Sequence, residues 1–222
     1  MGKEGSDIKK DLSEYRKAYE KSALLESTVS DSPMELFQKW FHEVEKSGTS
    51  DEPNAMTVST LGLDGFPKSR VVLLKRFTYE GFIFYTNYLS EKGKAIEKNP
   101  KVCLSFFWPG MERQVIIKGT AKKIPENMSD GYFESRPTGS KLGAIVSEQS
   151  EVIPSRDTLE EKLRELEKEY EQKEIPRPDY WGGYLVSPVS VEFWQGRPNR
   201  LHDRLRYTLE KDYRWSLDRL AP

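Results

Sequence analysis

The densest group of residues able to do chemistry is the run Trp194-Gln195-Gly196-Arg197-Pro198-Asn199-Arg200-Leu201-His202-Asp203-Arg204. If the chain is extended from Arg200 onward, side-chain alternation puts Arg200, His202 and Arg204 on one face and Leu201 and Asp203 on the other. Two guanidiniums then flank one imidazole. Their charge disfavours imidazolium, so His202 is expected to be neutral near pH 7, able both to donate and to accept a hydrogen bond. An exposed basic strand edge laced with surface ion pairs accounts for the same residues, and Trp194 beside them suits a core equally well.

Three other clusters suit an anion. In Ser69-Arg70-Val71-Val72-Leu73-Leu74-Lys75-Arg76, Arg70 and Lys75 are five apart and would face opposite sides of a regular strand, so one of them belongs at a strand end or bulge. Tyr132 and Arg136 are four apart on a predicted helix that Pro137 ends, and Ser140 can open the next one. A helix start with a hydroxyl and a nearby arginine fits a phosphate, although an ordinary cap uses the same residue types. Tyr85, Thr86 and Ser90 precede Lys92 and Lys94 at another predicted helix start. No phosphate-binding or dinucleotide glycine loop, nucleophile elbow or zinc-protease motif is present in the sequence, and no spacing of acids picks out a catalytic carboxylate pair.

The whole chain narrows the options further. Its 222 residues carry 35 Lys+Arg against 36 Asp+Glu, a net charge of −1, so there is no global basic field for nucleic acid or an anionic membrane surface. Aromatic residues make up 12%, too many for a disordered chain. No apolar stretch is long enough to span a membrane and the charged N-terminus lacks a signal core, which leads to the expectation of a cytoplasmic protein. Gly2 with Ser6 fits a short and common acylation pattern. Cys103 is the only cysteine, expected to act as a small buried hydrophobe, and His42 and His202 are the only histidines, so no metal site is expected.

The elements that must position these residues follow from periodicity. Residues 1–30 are polar and expected to be mobile, and residues 31–222 read as one domain. Pro33 opens a helix that buries Leu36, Phe37, Trp40, Phe41 and Val44. Five strands are expected before residue 125, with a hairpin turn at Asp64-Gly65, a short helix closed by Asn99 and Pro100, and short connections that favour an antiparallel barrel. Helical segments follow, the last from about Asp157 to Lys173 with Asp157 and Glu160 as a capping pair. Strand-like alternation then returns to complete one α+β domain.

In order along the chain, the segments YRKAY, RVVLLK, FYTN, RQV, YFESRP, GSKLGA, SEQS, WGGY, EFWQG, NRLHDR and DRLAP resemble the pyridoxine/pyridoxamine 5′-phosphate oxidase family from about Tyr15 to Pro222. The resemblance implies an FMN-binding split β-barrel, a homodimer with FMN at the subunit interface, and oxidation of pyridoxine or pyridoxamine 5′-phosphate to pyridoxal 5′-phosphate, with oxygen as acceptor and hydrogen peroxide as product. It implies FMN contacts at Arg70, Val71, Val72, Leu73, Leu74, Lys75, Tyr85, Thr86, Lys92, Gln114, Gln149, Ser150, Trp194 and Arg204. Lys75, Tyr132, Arg136 and Ser140 would meet the substrate phosphate, Arg200 and His202 would act at the pyridine ring as the catalytic pair, and Arg16 and Tyr19 would belong to a segment that closes over the site. Where the family usually has Ser-Arg-Lys, this chain has Ser90, Glu91 and Lys92. Two other classes would keep part of this set: a split-barrel flavoprotein acting on another substrate would keep the FMN residues, and a non-catalytic pyridoxal 5′-phosphate carrier would keep the phosphate residues.

Overall fold

Fifteen residues of uninterrupted strand, β7 (Trp181–Gln195), organise a computed structural model that describes residues 10–222. The Gly2 pattern and the start of the N-terminal segment lie outside the described residues. Before β7 come α1 (Pro33–Ser47), β1 (Ala55–Leu61), β2 (Pro67–Leu73), β3 (Arg76–Thr78), β4 (Gly81–Asn87), α2 (Glu91–Lys98), β5 (Lys101–Trp108), β6 (Arg113–Lys123), α3 (Glu126–Glu134), α4 (Thr138–Val146) and α5 (Arg156–Glu169); after it come β8 (Asp203–Leu209) and β9 (Trp215–Leu220). Every pairing is antiparallel, in the order β2-β1-β5-β6-β7-β4-β3. One edge of β7 carries β6 from Tyr184 to Gln195. Its other edge is shared, with β4 pairing Trp181 to Val186 and β8 pairing Ser190 to Gln195. Pro188, which has no N–H to donate, lies in the gap between them, opposite Gly119 at a register shift in β6. This divided edge opens the sheet into the split antiparallel barrel with flanking helices that the resemblance implies.

The core lies inside this curved sheet under α1. Phe37 is fully buried and meets the rings of Phe77, Phe82 and Phe106 at centroid distances of 5.1, 4.9 and 5.2 Å. Burying one such ring stabilises the fold by about 1.5–3 kcal/mol, with edge-to-face packing adding to it. Pro33 starts α1, as the sequence leads one to expect, and Gly48, in the left-handed region at φ 61°, ends it. Gly65 (φ 85°) turns the β1–β2 hairpin.

Several expectations are corrected. Six strands precede residue 125, not five, because β3 is too short to show alternation. The last helix runs Arg156–Glu169 after Ser155, and Glu160 pairs with Arg156 at 2.7 Å rather than closing a box with Asp157. Arg200 is not in a strand: Pro198–Arg200 form a 3₁₀ turn with Asn199 and Arg200 at φ 56° and 62°, and β8 begins only at Asp203. Cys103 is half-buried rather than buried.

The N-terminal segment from Lys10 lies along the outside of the barrel. Leu24 is buried, its N–H donates to Asp203 Oδ2 at 3.0 Å, and Arg219 on β9 donates to Leu24 O at 2.9 Å. Arg219 also pairs with Glu26, whose carboxyl it pulls down to about 2.

Candidate active site

Two cavities hold most of the residues singled out from the sequence. The first, about 480 Å³, is lined by Val71, Val72, Leu73, Lys75, Tyr85, Thr86, Lys92, Tyr132, Arg136, Ser140 and Gln149, together with Trp181. Lys75 reaches it by sitting just beyond β2, with its N–H bonded to Ile83 O at 2.9 Å, which is the strand-end position expected of Arg70 or Lys75. Leu74 beside it turns its side chain the other way, into the core.

At one end of this cavity α2 places a buried amine. Ser90 caps the helix by accepting the Gly93 N–H at 3.2 Å. Two residues on, Lys92 Nζ donates to Thr86 Oγ1 at 3.1 Å and to Gln149 Oε1 at 2.7 Å. Burial, helped by the Arg70 charge, pulls the lysine down to about 8. Arg70 stands behind the lining, donating to Thr60 Oγ1 at 2.7 Å, and burial lowers it too. Ser150 (φ 82°) takes the Glu91 N–H on its hydroxyl at 3.3 Å. The Glu91 carboxylate is bonded to Lys68 on β2, so the acid that departs from the family pattern has its own cation.

At the other end, Tyr85 stacks on Tyr132 with centroids 3.9 Å apart, and both lie nearly parallel to Trp181. The Arg136 guanidinium lies 4.6 Å over the Trp181 ring, and its buried Nη1 has no hydrogen-bond partner. Such a donor costs about 1–3 kcal/mol unless something accepts from it. Arg136 follows the end of α3 and Ser140 is in the first turn of α4, so the bend at Pro137 brings them together as expected. Trp181 as a platform for Arg136 has no signature in spacing; its place in the WGGY segment is the one signal in the sequence.

The second cavity, about 410 Å³, is lined by Tyr15, Arg16, Lys17, Ala18, Tyr19, Trp194, Arg197, Asn199, Arg200 and His202. Trp194 and His202 have ring centroids 4.7 Å apart, and Tyr19 meets each of them edge-on at 5.7 Å. His202 Nδ1 accepts the Arg197 N–H at 3.1 Å, which leaves Nε2 to carry the proton of the neutral ring. Gln114, Trp194 and Arg204 form one row across β6, β7 and β8. Arg204 is engaged there by Glu192 at 2.8 Å and by Ala221 O at 2.8 Å.

The two cavities are not neighbours within the chain. Tyr85 pairs with Gly183 near the start of β7 and Trp194 lies eleven steps along it, about 35 Å of extended strand. The structure thus brings the predicted residues together as two groups rather than one.

Comparison with known proteins matches both parts of the chain. The family described as "Pyridoxamine 5'-phosphate oxidase" matches residues 44–169, and the "Pyridoxine 5'-phosphate oxidase C-terminal dimerisation region" matches residues 181–222. A pyridoxine/pyridoxamine 5′-phosphate oxidase of Flavobacterium johnsoniae is 71% identical over 211 residues, 95% of this chain and 99% of that protein, and one of Flavobacterium psychrophilum is 70% identical over 213, covering 96% and 100%. Among solved structures, PhzG from Burkholderia lata in complex with tetrahydrophenazine-1-carboxylic acid superposes with a TM-score of 0.84 at 27% identity, covering 90% of this chain and 98% of that one. A pyridoxamine 5′-phosphate oxidase-related, FMN-binding protein from Nostoc punctiforme shares the fold, with a TM-score of 0.68 at 15% identity and coverage of 87% and 100%. Likeness of this degree over nearly the whole length, on the split barrel and the two residue groups described above, makes the chain a member of the pyridoxine/pyridoxamine 5′-phosphate oxidase family.

Proposed function

We propose that the protein is an FMN-dependent oxidase that converts pyridoxine or pyridoxamine 5′-phosphate to pyridoxal 5′-phosphate, with oxygen as electron acceptor and hydrogen peroxide as product. The observation that carries this reading is the Arg136 socket, where a buried guanidinium nitrogen lacks an acceptor and Lys75, Tyr132 and Ser140 share its cavity. A phosphate supplies the missing acceptor and charge. Remote from the reacting carbon, that anchor provides binding energy for alignment.

The residues also fit the cofactor. Lys92, held by Thr86 and Gln149 with Arg70 behind it, offers positive charge in a buried setting, and Val71, Val72 and Leu73 offer strand backbone and apolar surface beside it. A bound FMN would supply the two-electron acceptor for the substrate and return the electrons to oxygen. Gln114, Trp194 and Arg204 would complete its pocket from the second residue group, with Ser150 beside Glu91. Arg200 and His202 would orient the pyridine ring, His202 through its free Nε2–H, while Arg16 and Tyr19 would cover it.

Because the two groups lie at opposite ends of β7, a complete site requires two chains, and we assign the protein as a homodimer in which each site takes one group from each protomer. The match to a dimerisation region over residues 181–222, which include Trp194, Arg200 and His202, supports this. Residues 31–222 would form the single catalytic domain, with the segment before it docked on the barrel through Leu24 and Glu26. A doubly charged phosphorylated substrate does not cross a bilayer unaided, which supports a cytoplasmic location.

Anaerobic mixing of the flavin-loaded protein with pyridoxine 5′-phosphate tests the function. The flavin absorbance is expected to bleach within the mixing experiment and to return on admitting oxygen. A flavin that stays oxidised in the presence of saturating substrate would overturn the assignment.

A further inference from the structure

Glu112 is among the most deeply buried acids of the described residues, 2% exposed, and none of the roles assigned above uses it. It sits in the β5–β6 connection at φ 56°, a conformation that costs a non-glycine residue free energy. Two donors from the end of β7 hold it there: the Gly196 N–H bonds to Glu112 O at 2.8 Å, and Gln195 Nε2 donates to the same oxygen at 3.2 Å. Its carboxylate turns away from these toward the N-terminal segment. Oε2 accepts the N–H of Glu20 at 2.9 Å and that of Lys21 at 3.0 Å, and Oε1 lies 3.9 Å from Lys17 Nζ. The next residue toward the N-terminus from this pair is Tyr19, whose ring closes edge-on over Trp194 and His202. Gly196 makes the approach possible, since a Cβ there would come within 2.8 Å of Tyr19 Cβ and Cγ.

We infer that Glu112 is a positioning residue for the oxidation, a latch whose carboxylate fixes the 17–21 segment so that Arg16 and Tyr19 cover the pyridine-binding cavity; this rests on the functional reading above. A carboxylate accepting two backbone N–H groups makes charge-assisted bonds that orient a chain having no sheet partners of its own. Glu20 and Lys21 are exposed, so on loss of the latch their N–H groups turn to water. The barrel then keeps its fold while the segment is released.

The test uses the FMN-loaded dimer, with amide hydrogen exchange across residues 17–21 and steady-state kinetics on pyridoxine 5′-phosphate. Glu112→Ala is expected to quicken exchange at the residue 20 amide by about tenfold and to raise KM by about tenfold, with kcat changed less than about threefold and FMN affinity unaltered. Glu112→Gln keeps an oxygen that accepts both bonds, so it restores protection and KM. Lys21→Pro breaks the same contact from the exposed side if Glu112→Ala fails to fold. Lys21→Ala, which loses only the amine's bond to Gly110 O at 2.5 Å, stays close to the unmutated enzyme. Unchanged exchange in Glu112→Ala and Lys21→Pro, or quickened exchange with an unchanged KM, overturns the latch. A protein that does not oxidise the substrate at all overturns the functional reading instead, and the exchange data then decide whether Glu112 holds the segment.

Discussion

Lys92 is the residue whose charge responds most directly to its surroundings. Burial and the neighbouring Arg70 lower it to about 8, and a bound phosphate would restore its proton, so binding above that pH must take up a proton. FMN affinity is therefore expected to be steady up to about pH 7 and to fall above pH 8, by a factor that approaches tenfold per pH unit, in fluorescence-quenching titrations of the apoprotein. Lys92→Met should bind more weakly with a flatter profile over pH 7–9; an equally flat profile in the unmutated protein would remove Lys92 from the phosphate site. Glu91 poses the opposite question, because an acid stands where the family usually has a base. Since Lys68 already neutralises it from β2, Glu91→Arg exchanges one paired charge for two unpaired cations and should tighten FMN less than about tenfold. A gain of about a hundredfold would show that Glu91 faces the phosphate. Thr86 and Lys92 stand close together in the sequence and were legible as an anion cluster, whereas Gln149, which binds both, comes from a distant loop. Spacing reports neighbours within an element, and only the family resemblance pointed to the loop.

At the level of elements, alternation located β1, β5, β6 and β7, each of which buries one face over most of its length, and a continuous apolar run located β4, which buries nearly every residue. It failed at Arg200, where the Pro198 ring and two positive φ angles replace the expected strand with a tight turn. Alternation does not register such a turn; the available signal was Pro198-Asn199, since proline fixes φ and asparagine tolerates the left-handed region. The glycine at the register shift in β6 carries a different burden. A Cβ on Gly119 would lie 2.5 Å from the Ser187 carbonyl oxygen of β7, close to where the shared edge passes from β4 to β8. Gly119→Ala must push the two strands apart, at a cost of about 1–3 kcal/mol. Thermal unfolding should shift down by about 2–12 °C, and an unchanged midpoint would mean that the strand gap is soft.

The whole molecule depends on what a single sequence does not display, namely which residue groups meet across copies of the chain. Composition, periodicity and short connections made one α+β barrel domain legible. The separation of Arg136 from His202 was not, because it is set by the length and path of β7, a property of the assembled sheet. With each site taking one group from each protomer, as proposed above, that separation would let two defective chains repair one another. In a dimer formed from an Arg136→Glu chain and a His202→Ala chain, one site carries both lesions and the other carries neither. Co-expressed in equal amounts, the two chains assort so that about half the dimers are mixed, and about a quarter of all sites regain unmutated residues. Activity should recover to about that fraction, while each variant alone stays near zero and a chain bearing both substitutions rescues nothing beyond what an intact partner supplies. In a cell, the same strand length would make this locus show interallelic complementation, with two loss-of-function copies together behaving as a weak functional one.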